Sequence, residues 1–364
     1  MKLNATYIKI RDKWWGLPLF LPSLILPIFA HINTFAHISS GEVFLFYLPL
    51  ALMISMMMFF SWAALPGIAL GIFVRKYAEL GFYETLSLTA NFIIIIILCW
   101  GGYRVFTPRR NNVSHGDSRL ISQRLFWQIV FPATLFLILF QFAAFVGLLA
   151  SRENLVGVMP FNLGTLINYQ ALLVGNLIGV PLCYFIIRVV RNPFYLRSYY
   201  SQLKQQVDAK VTKKEFAIWL LALGALLLLL CMPLNEKSTI FSTNYTLSLL
   251  LPLMMWGAMR YGYKLISLLW AVVLMISIHS YQNYIPIYPG YTTQLTITSS
   301  SYLVFSFIVN YMAVLATRQR AVVRRIQRLA YVDPVVHLPN VRALNRALRN
   351  RLFPHGLCPV REAS

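Results

Sequence analysis

The groups in this chain that could bind a metal or move a proton are few and scattered. Its six histidines are His31, His37, His115, His279, His337 and His355. None forms an HxxxH or HExxH pair, the spacing that places two imidazoles on one helical face. His31, His37 and His279 fall near ends of apolar runs, where a metal or proton sensor could assemble only from separate loops. Solvated or interfacial histidines are the plainer expectation. The four cysteines, Cys99, Cys183, Cys231 and Cys358, include no CxxC pair. They read as packing residues, with no disulfide framework. All eleven acidic residues lie at ends of apolar runs, in loops or in the tails, whereas pumps and ion-coupled carriers place charge at mid-depth. No catalytic residue, metal site or cofactor is therefore expected, and the chain as it stands is expected not to be an enzyme.

The polar groups left inside the apolar runs are amides: Asn91, Gln141, Asn168, Asn176 and Asn310. Hydrogen bonding between packed helices is their ordinary use. A second cluster is aromatic. Tyr281, Tyr284, Tyr288 and Tyr291 crowd around Pro286 and Pro289 in "HSYQNYIPIYPGYTT", without one charged residue. They are the candidate signal-binding residues, set against a role as interfacial anchors. The glycines of "LPGIALG" and "GNLIGVP" lack the soluble strand-to-helix context of a phosphate loop. Their spacing suits close helix approach.

These residues are carried by a chain that is 58% hydrophobic and 12% charged, against about 25% charged in soluble domains. Apolar runs begin near Trp15, Val43, Glu84, Phe126, Leu166, Phe216, Tyr245, Leu265 and Tyr302. The first has no small-residue cleavage site and is not a secretion signal. The second, Val43 to Val74, is too long for one upright span, and charge argues that it splits. Two helices there put only Arg75, Lys76, Arg152 and Lys237 outside, with the other 28 of 32 Lys and Arg in the cytoplasm. One helix there would move most of the positive charge outside. The fold class expected is an all-α polytopic membrane protein of about ten transmembrane helices, both termini cytoplasmic. The +21 charge lies in short loops, which argues for membrane lipids and against nucleic acid as partner.

No Gly or Pro occurs between Leu315 and Asp333, so the last helix can continue into the cytoplasm. Leu315, Val322, Ile326 and Leu329 follow heptad-like spacing among arginines, the pattern of a short coupling helix and a candidate homodimer seam. Asp333-Pro334 then breaks or restarts the helix.

The segment "LAYVDPVVHLPNVRAL" resembles the opening of GGDEF domains. Asp333, Leu338, Pro339, Asn340 and Leu344 match the usual pattern, while Val336, His337 and Val341 depart from it as in a degenerate member. The membrane part resembles the membrane-associated sensor family of the first type. Pro66 and Gly67 carry the first element, Gly175, Gly179 and Pro181 the second, and Trp256, Arg260 and Gly262 a Trp-x-Ala-x-Arg-x-Gly element. Together these resemble the N-terminal half of an enterobacterial inner-membrane cyclic di-GMP phosphodiesterase that joins sensor, GGDEF and EAL domains. The resemblance implies a signal-input module for an unknown signal ligand in the bacterial inner membrane. Because only one acidic residue, Glu362, follows Asp333, truncation before the catalytic domains is expected. A small-molecule permease is the alternative. The expected division is 1–14 cytoplasmic, 15–316 sensor, 317–332 coupling helix, 333–350 GGDEF-like start and 351–364 unassigned, with an off-frame tail as one reading of it.

Overall fold

Proline shapes the first helix of the computed structural model, which describes residues 13–38, 41–106, 125–146, 162–208, 211–232, 243–285 and 290–331. Helix α1 (Leu17–Ile32) has Pro18 in its first turn and Pro22 and Pro27 inside. Pro22 offers no N–H to the Pro18 carbonyl four residues back. A later helix covers that carbonyl: a Cβ added to Gly67 would sit 2.4 Å from Pro18 O. One turn on, Gly71 approaches Pro22 O, and the Ser23 hydroxyl lies 2.6 Å from Leu19 O and 3.1 Å from Gly67 O. Contacts rise along both helices in the same sense, so these two helices run parallel.

Between them the chain makes a β-hairpin and a short return helix. Strands β1 (Thr34–Ile38) and β2 (Gly41–Phe46) pair antiparallel. This corrects the all-α expectation. Val43 to Phe46, assigned from sequence to a membrane helix, form a buried strand instead. Helix α2 (Pro49–Phe60) follows. Asn33, just past α1, accepts the Leu48 N–H at 3.1 Å, so α2 starts where α1 ends and retraces it. At Ser61 the backbone takes φ 54°, the one non-glycine residue with positive φ among those described. A 3-10 turn (Ser61–Ala64) leads into α3 (Leu65–Leu80), which lies along α1. The long apolar run is therefore two helices of opposite direction.

Helices α4 (Phe82–Phe106) and α5 (Phe131–Phe145) pack together, the latter entered through a π-helical turn, Leu125–Val130. Helix α6 (Leu163–Arg191) is the centre of the packing and meets α2, β2, α5 and α10. Helix α7 (Tyr195–Gln206) is short and amphipathic, unlike α8 (Lys213–Cys231), α9 (Thr243–Tyr261) and α10 (Tyr263–His279). Gly262, at φ 83°, makes the sharp junction between α9 and α10.

Helix α11 spans Tyr291–Tyr331, and a division into two compact units falls within it, after Val314. Among the described residues five helical stretches are long and apolar enough to cross a membrane, taking Pro49–Leu80 as one. Helices α1, α5 and α10 are apolar but shorter.

Candidate functional site

The hairpin organises one end of the first unit. Asn168, buried in α6, accepts the Phe44 N–H at 2.7 Å, anchoring β2 to the central helix. A turn after α10 (Tyr281–Asn283) packs beside it. Tyr281 donates to Phe35 O of β1 at 3.2 Å, and Asn283 donates to Cys231 O at 2.8 Å. Tyr284 is fully buried, donates to Ser277 O at 2.7 Å and contacts the Tyr302 hydroxyl on α11. Tyr291 is half-buried and hydrogen-bonds Tyr281. Three of the four candidate tyrosines are thus drawn into one network under the hairpin, and Tyr284 is enclosed within it. Tyr288 lies outside the described residues.

A second network forms where α6 and α7 meet α9 and α10. Arg260 lies 3.3 Å from Asp208 and 3.6 Å from Glu215, and its guanidinium stands over the Trp256 ring. The Asp208 N–H also donates to Arg260 O at 3.0 Å. Trp219 of α8 donates to Leu253 O at 2.9 Å, with its ring against Tyr261. A Cβ on Gly257 would press into that indole at 2.4 Å. Tyr199 of α7 donates to Lys264 O at 2.8 Å, and burial pushes its hydroxyl well above the usual tyrosine range. Trp256, Arg260 and Gly262 therefore share one junction: ring, charge and bend. Tyr199, Asp208 and Lys264 were not singled out from sequence. Asp208 carried the available signal, as the one acidic residue between Arg188 and Lys214.

The remaining motif glycines sit at backbone contacts. A Cβ on Gly175 would lie 2.0 Å from Tyr47 O, and one on Gly179 2.6 Å from the Leu48 side chain. Pro66 opens α3 and Pro181 lies inside α6. Among the amides, Gln141 reaches Thr165 and Asn176 reaches Ile129 O, each at 3.4 Å, whereas Asn91 and Asn310 donate within their own helices. A small cavity of about 20 Å³ is walled by Phe44, Tyr47, Phe92, Phe136, Phe140 and Asn168, room for about one water-sized occupant.

In the second unit Leu315, Val322 and Ile326 are exposed on α11, and Leu329 lies on the same helix. Asp333, Leu338, Pro339, Asn340 and Leu344 lie outside the described residues, as do His115, His337, His355 and Cys358. His31, His37 and His279 are exposed, His37 standing 3.4 Å from Glu42 across the hairpin. Cys99, Cys183 and Cys231 are free thiols. No group of three potential metal ligands forms among the described residues.

The sequence that builds this frame of parallel and returning helices matches a known family. The MASE1 family model covers residues 15–320. The chain belongs to the MASE1 family. It is 99% identical over 99% of its length to the cyclic di-GMP phosphodiesterase PdeF of Escherichia coli (strain K12), covering 48% of that protein. It is 25% identical over 92% of its length to the probable cyclic di-GMP phosphodiesterase PdeA of the same organism, covering 46%. The chain thus spans about half the length of the curated relatives it matches. No solved structure matches it. The PdeF match corrects the expectation of a non-enzyme: near-identity along this chain points to an enzyme. That expectation counted carboxylates only within these 364 residues, which cover 48% of PdeF. The MASE1 chain is a multi-pass protein of the bacterial inner membrane.

Proposed function

We propose that this chain is the membrane signal-input part of a cyclic di-GMP phosphodiesterase. The near-identity to PdeF carries the proposal, and the MASE1 match supports a sensory role for the membrane part. In this reading ten helices cross the membrane, α1 to α6 and α8 to α11, with both termini cytoplasmic. The return at Ser61, the parallel pairing of α1 with α3, and the meeting of hairpin and Tyr281 at one end all support alternate crossing. The basic loop between α6 and α8 then faces the cytoplasm.

The signal enters at the outer hairpin and its tyrosine network, through Tyr281, Tyr288 and Tyr291. Enclosed Tyr284 transmits displacement to Tyr302 on α11. Residues 317–332 act as the coupling helix, pairing with a second copy along Leu315, Val322, Ile326 and Leu329. Residues 333–350, through Asp333, Leu338, Pro339, Asn340 and Leu344, begin a degenerate GGDEF-like domain. A shift in α11 biases the cytoplasmic arrangement and thereby hydrolysis.

The test uses the phosphodiesterase that carries this membrane part. Val322→Glu with Ile326→Glu should change cyclic di-GMP hydrolysis in membranes several-fold while insertion stays intact. Hydrolysis and pairing that both remain at the unaltered level would sink the coupling role. A permease would instead reveal itself by solute uptake into vesicles.

A further inference from the structure

Two half-buried cations share the α6–α7–α10 junction without a carboxylate partner among the described residues. Arg188, near the end of α6, lies 4.6 Å over the Tyr195 ring and donates to the Tyr184 hydroxyl at 3.1 Å. Lys264, in the first turn of α10, lies 5.2 Å over the Tyr199 ring and contacts the Gln202 amide oxygen. The Tyr195 and Tyr199 rings that carry them are 5.7 Å apart, which brings the two charges into one another's neighbourhood. The nearby acids, Asp208 and Glu215, are both engaged by Arg260. Among the described residues neither Arg188 nor Lys264 forms an ion pair. Like charges held together away from full solvent repel, and an anion between them relieves that repulsion.

Helix α7 indicates the class of anion. Its inner face, led by buried Tyr199, packs on α10. Beside that face run Leu196, Tyr200 and Leu203, at i, i+4 and i+7. Leu196 and Tyr200 are exposed, at 49% and 71%. Arg197 and Lys204 border this strip, and neither forms an ion pair among the described residues. The helix lies between the end of α6, Arg191, and the start of α8, Lys213, both ends of membrane-length helices. A short amphipathic helix at that depth lies in the bilayer surface, apolar side toward acyl chains and basic side toward headgroups.

We propose that Arg188 and Lys264 bind the headgroup phosphate of an anionic phospholipid whose acyl chains lie along Leu196, Tyr200 and Leu203. The bound lipid would brace the α9–α10 bend, since the Lys264 carbonyl also accepts the Tyr199 hydroxyl and its N–H donates to the Gln206 side chain. The site rests on the membrane placement proposed above and is independent of cyclic di-GMP turnover.

The full chain, in nanodiscs of phosphatidylcholine doped with photoactivatable phosphatidylglycerol, tests it. Crosslinks should concentrate in peptides covering 184–206 and 263–265. Arg188→Gln with Lys264→Gln should cut the adduct roughly 25-fold, at about five-fold per charge, while Lys213→Gln with Lys214→Gln leaves it unchanged. Adducts without enrichment at those peptides would overturn the proposal, as would equal labelling by a photoactivatable phosphatidylcholine. Displacement by millimolar inorganic phosphate would assign the site to free phosphate instead. The map on the unaltered chain decides even if the double variant fails to fold. Failure of the membrane placement has its own signature: a cysteine at Lys204 would be labelled from outside intact cells.

Discussion

Gly175 and Gly224 lie in two apolar helices of one chain, yet the same substitution should act on them in opposite senses. At Gly175 the new Cβ would meet a backbone oxygen, Tyr47 O, at 2.0 Å, and backbone cannot step aside as a side chain can. Gly175→Ala should therefore lower stability by about 1–3 kcal/mol, as overpacking does. At Gly224 an added Cβ finds nothing within 4 Å, and Gly224→Ala should add about 0.5–1 kcal/mol through helix propensity. Thermal melting of the two variants in one detergent checks the pair. The small-residue spacing of "GNLIGVP" was legible in sequence as a close-approach signal. Which backbone it approaches was not, because Tyr47 is 128 positions away and its neighbourhood was read as helix.

At the scale of elements, the return between α2 and α3 depends on one residue. Ser61 holds φ 54° with a side chain that disfavours it, a conformation that costs roughly 1–2 kcal/mol for an L-residue. Ser61→Gly should raise stability by about 1 kcal/mol, and Ser61→Val should lower it by more, both read by the same melting assay. Helix α7 adds a pH-dependent element. The Tyr199 hydroxyl is protonated more tightly in the folded chain than its ordinary value of 10.0. Its contribution is therefore complete below that value and is lost as pH rises above it. Tyr199→Phe should flatten the decline in melting temperature above about pH 10. The split of the long apolar run could be argued from charge alone, since a single helix would reverse the positive-inside balance. The hairpin could not be argued that way. Its signal is "TFAHISSGEVFLF", two short β-prone runs around Ser-Ser-Gly, and the apolar half of it merges with the helix that follows. What fixes it as a strand is Asn168, brought there by the tertiary fold.

At the scale of the molecule, the hairpin and the Arg260 junction should lie on opposite sides of the membrane. A cysteine at Glu42 should react with an impermeant maleimide in intact cells, and one at Lys204 only after permeabilisation. Labelling of both from the same side would refute the ten-span orientation. The chain's charge distribution already pointed this way, and the Trp-x-Ala-x-Arg-x-Gly element pointed to a shared structural role. The carboxylates that hold Arg260 escaped notice because Asp208 and Glu215 look like ordinary loop acids until α7 folds back. The likeness to a phosphodiesterase was also beyond composition, since it depends on sequence identity rather than on any group within these helices.

The short return helix has a consequence for how the protein is made. Helix α2 has 12 residues, about 18 Å of helix, well short of the roughly 30 Å hydrocarbon layer. Alone it would be a poor anchor for the insertion machinery to release. Helix α1 meets α3 at Gly67 and Gly71, and α3 emerges from the ribosome only after α2. In the ten-span reading proposed above, α1, α2 and α3 would therefore pass into lipid as one bundle, held at the translocon until the third member arrives.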